Sequence, residues 1–253
     1  MISAFDLLNE TFDRIFVVTL PRATERQARV RSRLAGLDYT FFHGFDRQVL
    51  DLEQLAREGV YAPARARRVD RHGRTMRPGE VGCSLSHRKI YEEAIANGWR
   101  RVLVLEDDVV VREEELSRLN AALSQLPERW DVLYLGYSNF ETVTTRDRLK
   151  QASYVVLSSL RLMKWTPREI LRFHPKPFSQ NLRRAGLHHC THAYAFTLEG
   201  AEKLLAAQTP VAFPADQLLV HLVLRGEVRA FVSEPKFFDQ EAPPGGAGSF
   251  VAA

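Results

Sequence analysis

The sequence predicts an α/β fold built on a doubly wound sheet. Short apolar runs rich in β-branched and aromatic residues alternate with helical patterns, in strand–helix–strand order from residue 14 onward. One run, Val102-Leu103-Val104-Leu105, is apolar at every position, as a strand covered on both faces must be. It leads directly into Glu106-Asp107-Asp108, and open α/β sheets place their ligands at such strand ends.

The elements follow in order. Residues 1–13 read as a short amphipathic helix or a frayed lead-in, ahead of a main domain over 14–241. Residues 14–20 form the first strand, Pro21 opens an Arg-rich helix to about residue 34, and residues 39–42 form a second strand, which completes a βαβ opening. Residues 47–77 carry six arginines between positions 65 and 77 with little apolar periodicity. They are expected to form a surface loop, mobile and basic over about 60–77, for which a solvated segment and an anion-contacting lid are both open readings. A helix spans 78–97, with Pro78 near its start, Glu80 in its first turn and Gly98 just past its end. Beyond the strand at 102–106 come a helix near 113–125 and a strand at 131–136. The pattern then weakens, with a strand expected at 153–158 and a basic, proline-bearing stretch at 164–184. A strand at 193–197, helices at 199–207 and 217–224, a strand at 228–232 and a flexible tail at 242–253 complete the reading.

Composition narrows the classes of function. The chain has 253 residues, 45% of them hydrophobic, enough for one substantial domain. A net charge of +4 suits anionic small molecules or a membrane surface and is too weak to argue for nucleic acid. Cys83 and Cys190 are the only cysteines and neither has metal-ligand spacing, which points to a reducing cytoplasm. No apolar run approaches the length of a membrane span, so membrane contact is expected to be peripheral, at the inner face. GxSxG, P-loop and GxGxxG motifs are all missing.

Three acids at a strand end are costly to desolvate unless a cation neutralises them. If the segment stays extended, Glu106 and Asp108 share one face and Asp107 points away. Two hard oxygen ligands so placed suit Mg²⁺ or Mn²⁺. A solvated strand end, or a carboxylate capping the next helix, is the plainer alternative. Glu80, Ser84, His87 and Tyr91 are spaced to line one helix face, either as substrate ligands or as a hydrogen-bonded core edge. His188-His189-Cys190-Thr191-His192 fits no common zinc spacing, and one histidine of it lining a pocket is the favoured reading. Asp216 reads either as a helix N-cap or as a general base.

Gly79-Glu80-Val81-Gly82-Cys83-Ser84-Leu85-Ser86-His87 followed by Leu103-Val104-Leu105-Glu106-Asp107-Asp108-Val109 closely resembles the family 25 glycosyltransferases, which include lipooligosaccharide galactosyltransferases. Trp130-Asp131-Val132-Leu133-Tyr134-Leu135-Gly136 and the Pro214 and Asp216 pair agree with it. The resemblance implies a GT-A-like, Rossmann-type mixed sheet flanked by helices. It implies inverting transfer of a hexose, galactose first, from a UDP-sugar to a glycan or lipid-linked glycan such as lipooligosaccharide core, with Mn²⁺ or Mg²⁺. Carried over residue by residue, it assigns the metal to Glu106 and Asp108. The nucleotide-sugar falls to Thr19, Arg22, Arg26, Asp46, Ser86, His87 and Asp107, and catalysis to Asp216 with Glu80 second. Pro21 and Arg47 depart from the family pattern, and they motivate an alternative: a non-catalytic sugar-nucleotide or glycan-binding module of an assembly complex.

Overall fold

A computed structural model describes residues 3–241, apart from the side chains of residues 190 and 191, so the tail expected at 242–253 lies outside the described residues. The strands are β1 (Arg14–Thr19), β2 (Thr40–His43), β3 (Arg101–Glu106), β4 (Val109–Val111), β5 (Val132–Ser138), β6 (Lys176–Pro177), β7 (Leu182–Arg184), β8 (His189–Thr197), β9 (Ala230–Ser233) and β10 (Phe238–Gln240). The helices are α1 (Ala4–Thr11), α2 (Thr24–Arg33), α3 (Leu52–Arg57), α4 (Pro63–Val69), α5 (Pro78–Asn97), α6 (Leu119–Ser124), α7 (Thr145–Ser159), α8 (Pro167–Ile170), α9 (Leu198–Ala207) and α10 (Ala215–Arg225).

Eight strands form one mixed sheet in the order β2-β1-β3-β8-β5-β9-β7-β6, and β10 pairs with β4 beside it. β2, β1 and β3 run parallel, β8 runs against both β3 and β5, and β9 is parallel to β5. Alternation along the strands builds two cores. Val102, Val104, Tyr194 and Phe196 face α5, α9 and α10, whereas Leu103, Leu105, Ala193 and Ala195 face α1, α2 and α6. The expected mixed α/β sheet flanked by helices is therefore what the chain forms, with its parallel strands apolar because both faces are covered.

Two local expectations are corrected and one open alternative is decided. Residues 153–158 are helical, inside α7: Thr144 and Asp147 form a capping box that starts a helix before the β-branched run is reached. The basic segment 60–77 is built rather than loose. Asp51 caps α3 and Pro63 opens α4, and the chain is pinned by Ala62 N–H to the Val211 carbonyl and Val211 N–H to the Val60 carbonyl. Of the two readings of the N-terminal segment, the described residues 3–13 take the helical one: Ser3 and Asp6 box the start of α1 while Leu8 and Phe12 sit in the core beneath the sheet.

Asp131, just before β5, ties the start of that strand to α9 and to the start of β9. It is fully buried, accepts from Lys203 at 2.9 Å, and accepts from Arg229 through both its guanidinium and its backbone N–H. Burial alone would raise its pKa, but the hydrogen bonds from Arg229 and Lys203 outweigh it and hold the carboxyl below the ordinary range. Asp131→Ala removes the shared partner of Lys203 and Arg229, which keep only the exposed Glu199, and frees the Arg229 N–H; it is expected to cost about 2 kcal/mol. Urea denaturation checks this, and a loss of under about 1 kcal/mol would refute the tie.

Candidate nucleotide-sugar and transfer site

The site lies at the C-terminal edge of β1, β2 and β3, where the sheet leaves a recess of about 90 Å³. Thr19 ends β1, Glu106 ends β3, and Asp107 and Asp108 make the turn into β4. That turn corrects the extended geometry expected for the acidic triplet, since strand alternation stops at Glu106. All three carboxylates nonetheless line the recess, together with Thr19, Arg26, Ser86 and His87.

The bonds of these residues divide their parts. Asp107 accepts from the Thr19 hydroxyl at 2.7 Å and from Arg26 at 2.8 Å, so it holds Arg26 over the recess. Asp108 accepts from Gln240 through Oδ2 at 2.9 Å, with Arg26 3.8 Å away, whereas its Oδ1 is buried with no partner. Burial raises its pKa, against the pull of Gln240 and Arg26. An orphaned carboxylate oxygen in a polar recess is the chemistry a hard divalent cation satisfies, so the oxygens of Glu106 and Asp108 fit Mg²⁺ or Mn²⁺.

Ser86 accepts from the Phe45 N–H at 2.9 Å and donates to the Gly82 carbonyl, which fastens the β2 exit to α5. Gly82 permits that approach, because a Cβ there would lie 2.5 Å from the Phe45 carbonyl oxygen. His87 Nδ1 meets the Tyr194 hydroxyl at 2.8 Å, and its buried Nε2 has no partner. Burial pushes its pKa down to about 4, so the imidazole is neutral at pH 7. The expected stripe on α5 is thus largely a hydrogen-bonded core edge, with Ser84 on the Phe213 carbonyl and Tyr91 on Tyr194. Arg22 and Asp46 do not line the recess; they pair with each other at 2.5 Å, and Asp46 also caps the turn at Gln48.

A larger cleft of about 880 Å³ contains Asp216 and Glu80. Tyr154, Trp165 and Phe213 line it, with the cations of Lys150, Arg71 and Arg65 standing 5.6, 5.6 and 5.4 Å over their rings, so this wall is both aromatic and basic. Asp216 is not the N-cap of α10. That place belongs to Pro214, which makes no side-chain cap, and Asp216 lies in the first turn, facing the cleft with His189 at 3.9 Å. Glu80 is engaged by Arg74 through two 2.7 Å bonds and by the Arg77 N–H. Burial raises its pKa but Arg74 and Arg77 lower it further, so it anchors the arginine segment and is a poor proton acceptor.

The histidine cluster separates as its spacing suggested. His189 faces the cleft, His188 is buried against the Asn139 carbonyl, and His192 points to the Phe238 carbonyl. Cys83, His87 and Glu106 bring ligand atoms within 4.8 Å of one another. Burial, with Glu106, Asp216 and Asp108 nearby, pushes the Cys83 thiol well up, so it is not a thiolate ligand at neutral pH. Cys83 was missed as a recess residue, although its spacing of four from His87 puts both on one helix face.

The profile of glycosyltransferase family 25 (LPS biosynthesis protein) matches residues 12–219. The chain belongs to glycosyltransferase family 25. Among its curated relatives, a rat protein named probable inactive glycosyltransferase 25 family member 3 is 31% identical over 88% of this chain and 37% of its own length. A Drosophila melanogaster glycosyltransferase 25 family member is 31% identical over 83% of this chain and 29% of its own length. The family 25 chain thus spans about a third of such relatives. Among solved structures, A197 from STIV aligns over 90% of this chain and 92% of its own, with a TM-score of 0.38 and 10% identity.

Proposed function

We propose that this family 25 chain is an inverting, divalent-metal-dependent glycosyltransferase. It moves a hexose, galactose first, from a UDP-sugar to a glycan such as lipooligosaccharide core. The carrying observation is the orphaned, buried Oδ1 of Asp108 in a carboxylate-lined recess; a roomy cleft holds Asp216, and the neighbouring Gly79 and Glu80 line the recess and the cleft respectively.

Glu106 and Asp108 would hold Mn²⁺ or Mg²⁺, which supplies charge neutralisation for a diphosphate leaving group. Arg26, steadied by Asp107, adds a fixed cation beside the same phosphates. The recess admits part of the donor, and the sugar extends toward the cleft. There the Asp216 carboxylate takes the proton of the attacking acceptor hydroxyl, while Lys150, Arg71 and Arg65, stacked over Tyr154, Trp165 and Phe213, give that end of the cleft a cationic and aromatic wall for the acceptor. Gln217 donates to His189 at 3.1 Å and lies 3.4 Å from Asp216, which orients the carboxylate edge of the cleft.

Asp216→Asn is expected to lower UDP release from UDP-galactose by about 100-fold or more while changing UDP affinity by under about threefold. Coupled UDP-release kinetics and calorimetry check the split, and unchanged turnover would remove Asp216 from the reaction. One observation favours the second reading, a non-catalytic binding module: Arg26 already sets a positive charge against Asp107 and 3.8 Å from Asp108. Tight UDP and metal binding by the wild type, with no release from any UDP-hexose, would decide for it.

A further inference from the structure

Six large apolar side chains stand exposed within residues 149–171: Leu149, Val156, Leu157, Leu160, Leu162 and Leu171. Leu149, Val156, Leu160 and Leu162 are each at least 60% exposed. Leu149, Ala152, Val156 and Leu160 follow at steps of three, four and four, which draws one stripe down the outer side of α7. The inner side of the helix is used normally: Gln151 donates to the Ile170 carbonyl, Ser158 donates to the Trp165 carbonyl, and Tyr154 and Val155 pack with Phe140 and Trp165. Folding therefore leaves the outer stripe unburied, although this helix already has a packed face.

The charge around the stripe is one-sided. Residues 145–172 carry seven lysines and arginines against two acids, Asp147 and Glu169; Lys164 and Arg172 donate to the Asp70 and Leu224 carbonyls, and Arg146, Arg148, Lys150, Arg161 and Arg168 make up the rim. Both acids are consumed in capping boxes, Asp147 on Thr144 and Glu169 on Thr166. An apolar stripe within a basic rim complements an anionic lipid surface, whose hydrocarbon boundary takes the apolar side chains and whose phosphates take the lysines and arginines. A second copy of the chain fits poorly, because two such rims would face each other with the same sign.

We propose that α7 and the turn to α8 form a docking surface for anionic phospholipid bilayers. The two segments that charge and amphipathicity single out in the sequence are less suited. Leu8 and Phe12 of the N-terminal helix are spent in the core, and Arg65 and Arg74 are bonded to the Ala207 carbonyl and Glu80. The surface continues into the large cleft, since Lys150, Tyr154, Leu162 and Lys164 line that cleft as well. Docking would present the cleft at the lipid surface, where a lipid-linked acceptor is delivered; this last step rests on the proposed transferase reading, and the docking itself does not.

Co-sedimentation of the full chain with phosphatidylcholine vesicles, with and without about 30 mol% phosphatidylglycerol, tests the surface. Binding is expected only with phosphatidylglycerol and weakens as salt rises. The triple variant Leu149→Ser, Val156→Ser, Leu160→Ser, and separately Arg148→Glu with Arg161→Glu, should each lower the bound fraction at least about tenfold, with thermal melting unchanged. Three outcomes overturn the proposal: no binding to anionic vesicles, equal binding to both vesicle types, or full binding by the triple variant. A dimer in sedimentation equilibrium that the triple variant abolishes also overturns it, in favour of self-association. None of these readouts depends on sugar transfer, so loss of the transferase reading would leave them standing.

Discussion

Asp108→Asn is expected to reduce UDP release by about 100-fold or more while raising the melting temperature of the metal-free protein. The two effects have one origin. Asp108 is half-buried, its Oδ1 is buried with no partner, and burial raises its pKa, so at neutral pH the folded chain bears part of the cost of an ionised carboxylate that the unfolded chain solvates. Asparagine keeps the shape and still accepts from Gln240, and it removes the charge. A structural carboxylate behaves in the opposite sense, as Asp131 does with its bonded cations. Glu106→Gln should match the loss of activity. Differential scanning fluorimetry with UDP-release kinetics in Mn²⁺ reads both quantities. A variant that melts lower and still turns over would show that Asp108 serves the fold alone, and the metal reading would then fail with it.

The parts of this fold that were legible are those whose signal is local. Val102-Leu103-Val104-Leu105 is buried on both faces, as its unbroken apolar run requires, and the carboxylates that follow it reach the sheet edge with Thr19. Short sequence distance also put Ser86 and His87 on the helix beside that edge. What escaped depends on partners far away in the chain. Tyr154-Val155-Val156-Leu157 has strand chemistry, and only the Thr144 and Asp147 box with packing on α8 makes it helical. The arginine segment looked unstructured because its order comes from a bridge between Tyr61 and Val211. No local pattern reveals that Arg74, six residues before Glu80, folds back onto it. Arg22 and Asp46 were assigned separately to the donor, and their pairing with each other is a tertiary fact.

Acid should unfold this chain well above the pH at which its carboxylates protonate. His87, His188 and His192 are each about 1% exposed, and burial pushes each pKa from 6.5 down to about 4. In each case the folded value is the lower one, so between pH 6.5 and 4 the unfolded chain binds protons that the folded chain refuses. Stability is complete above 6.5 and is lost as pH falls toward 4. With three such groups the steepest slope approaches about 4 kcal/mol per pH unit, enough to exhaust an ordinary domain's stability within the window. Asp108 acts in the reverse sense and only softens the fall, because its raised pKa makes protonation favour the fold. Urea midpoints measured from pH 7.5 to 4.5 check the slope, and a flat profile would mean that these rings are reached by water. His188→Gln should flatten the slope by roughly one third, since it removes one of the three titrating groups. The same measurement bears on catalysis. If UDP release declines in step with the urea midpoint, the acid limb reports loss of the fold. If release falls while the midpoint still holds, the acid limb is a property of the reaction and not of the fold.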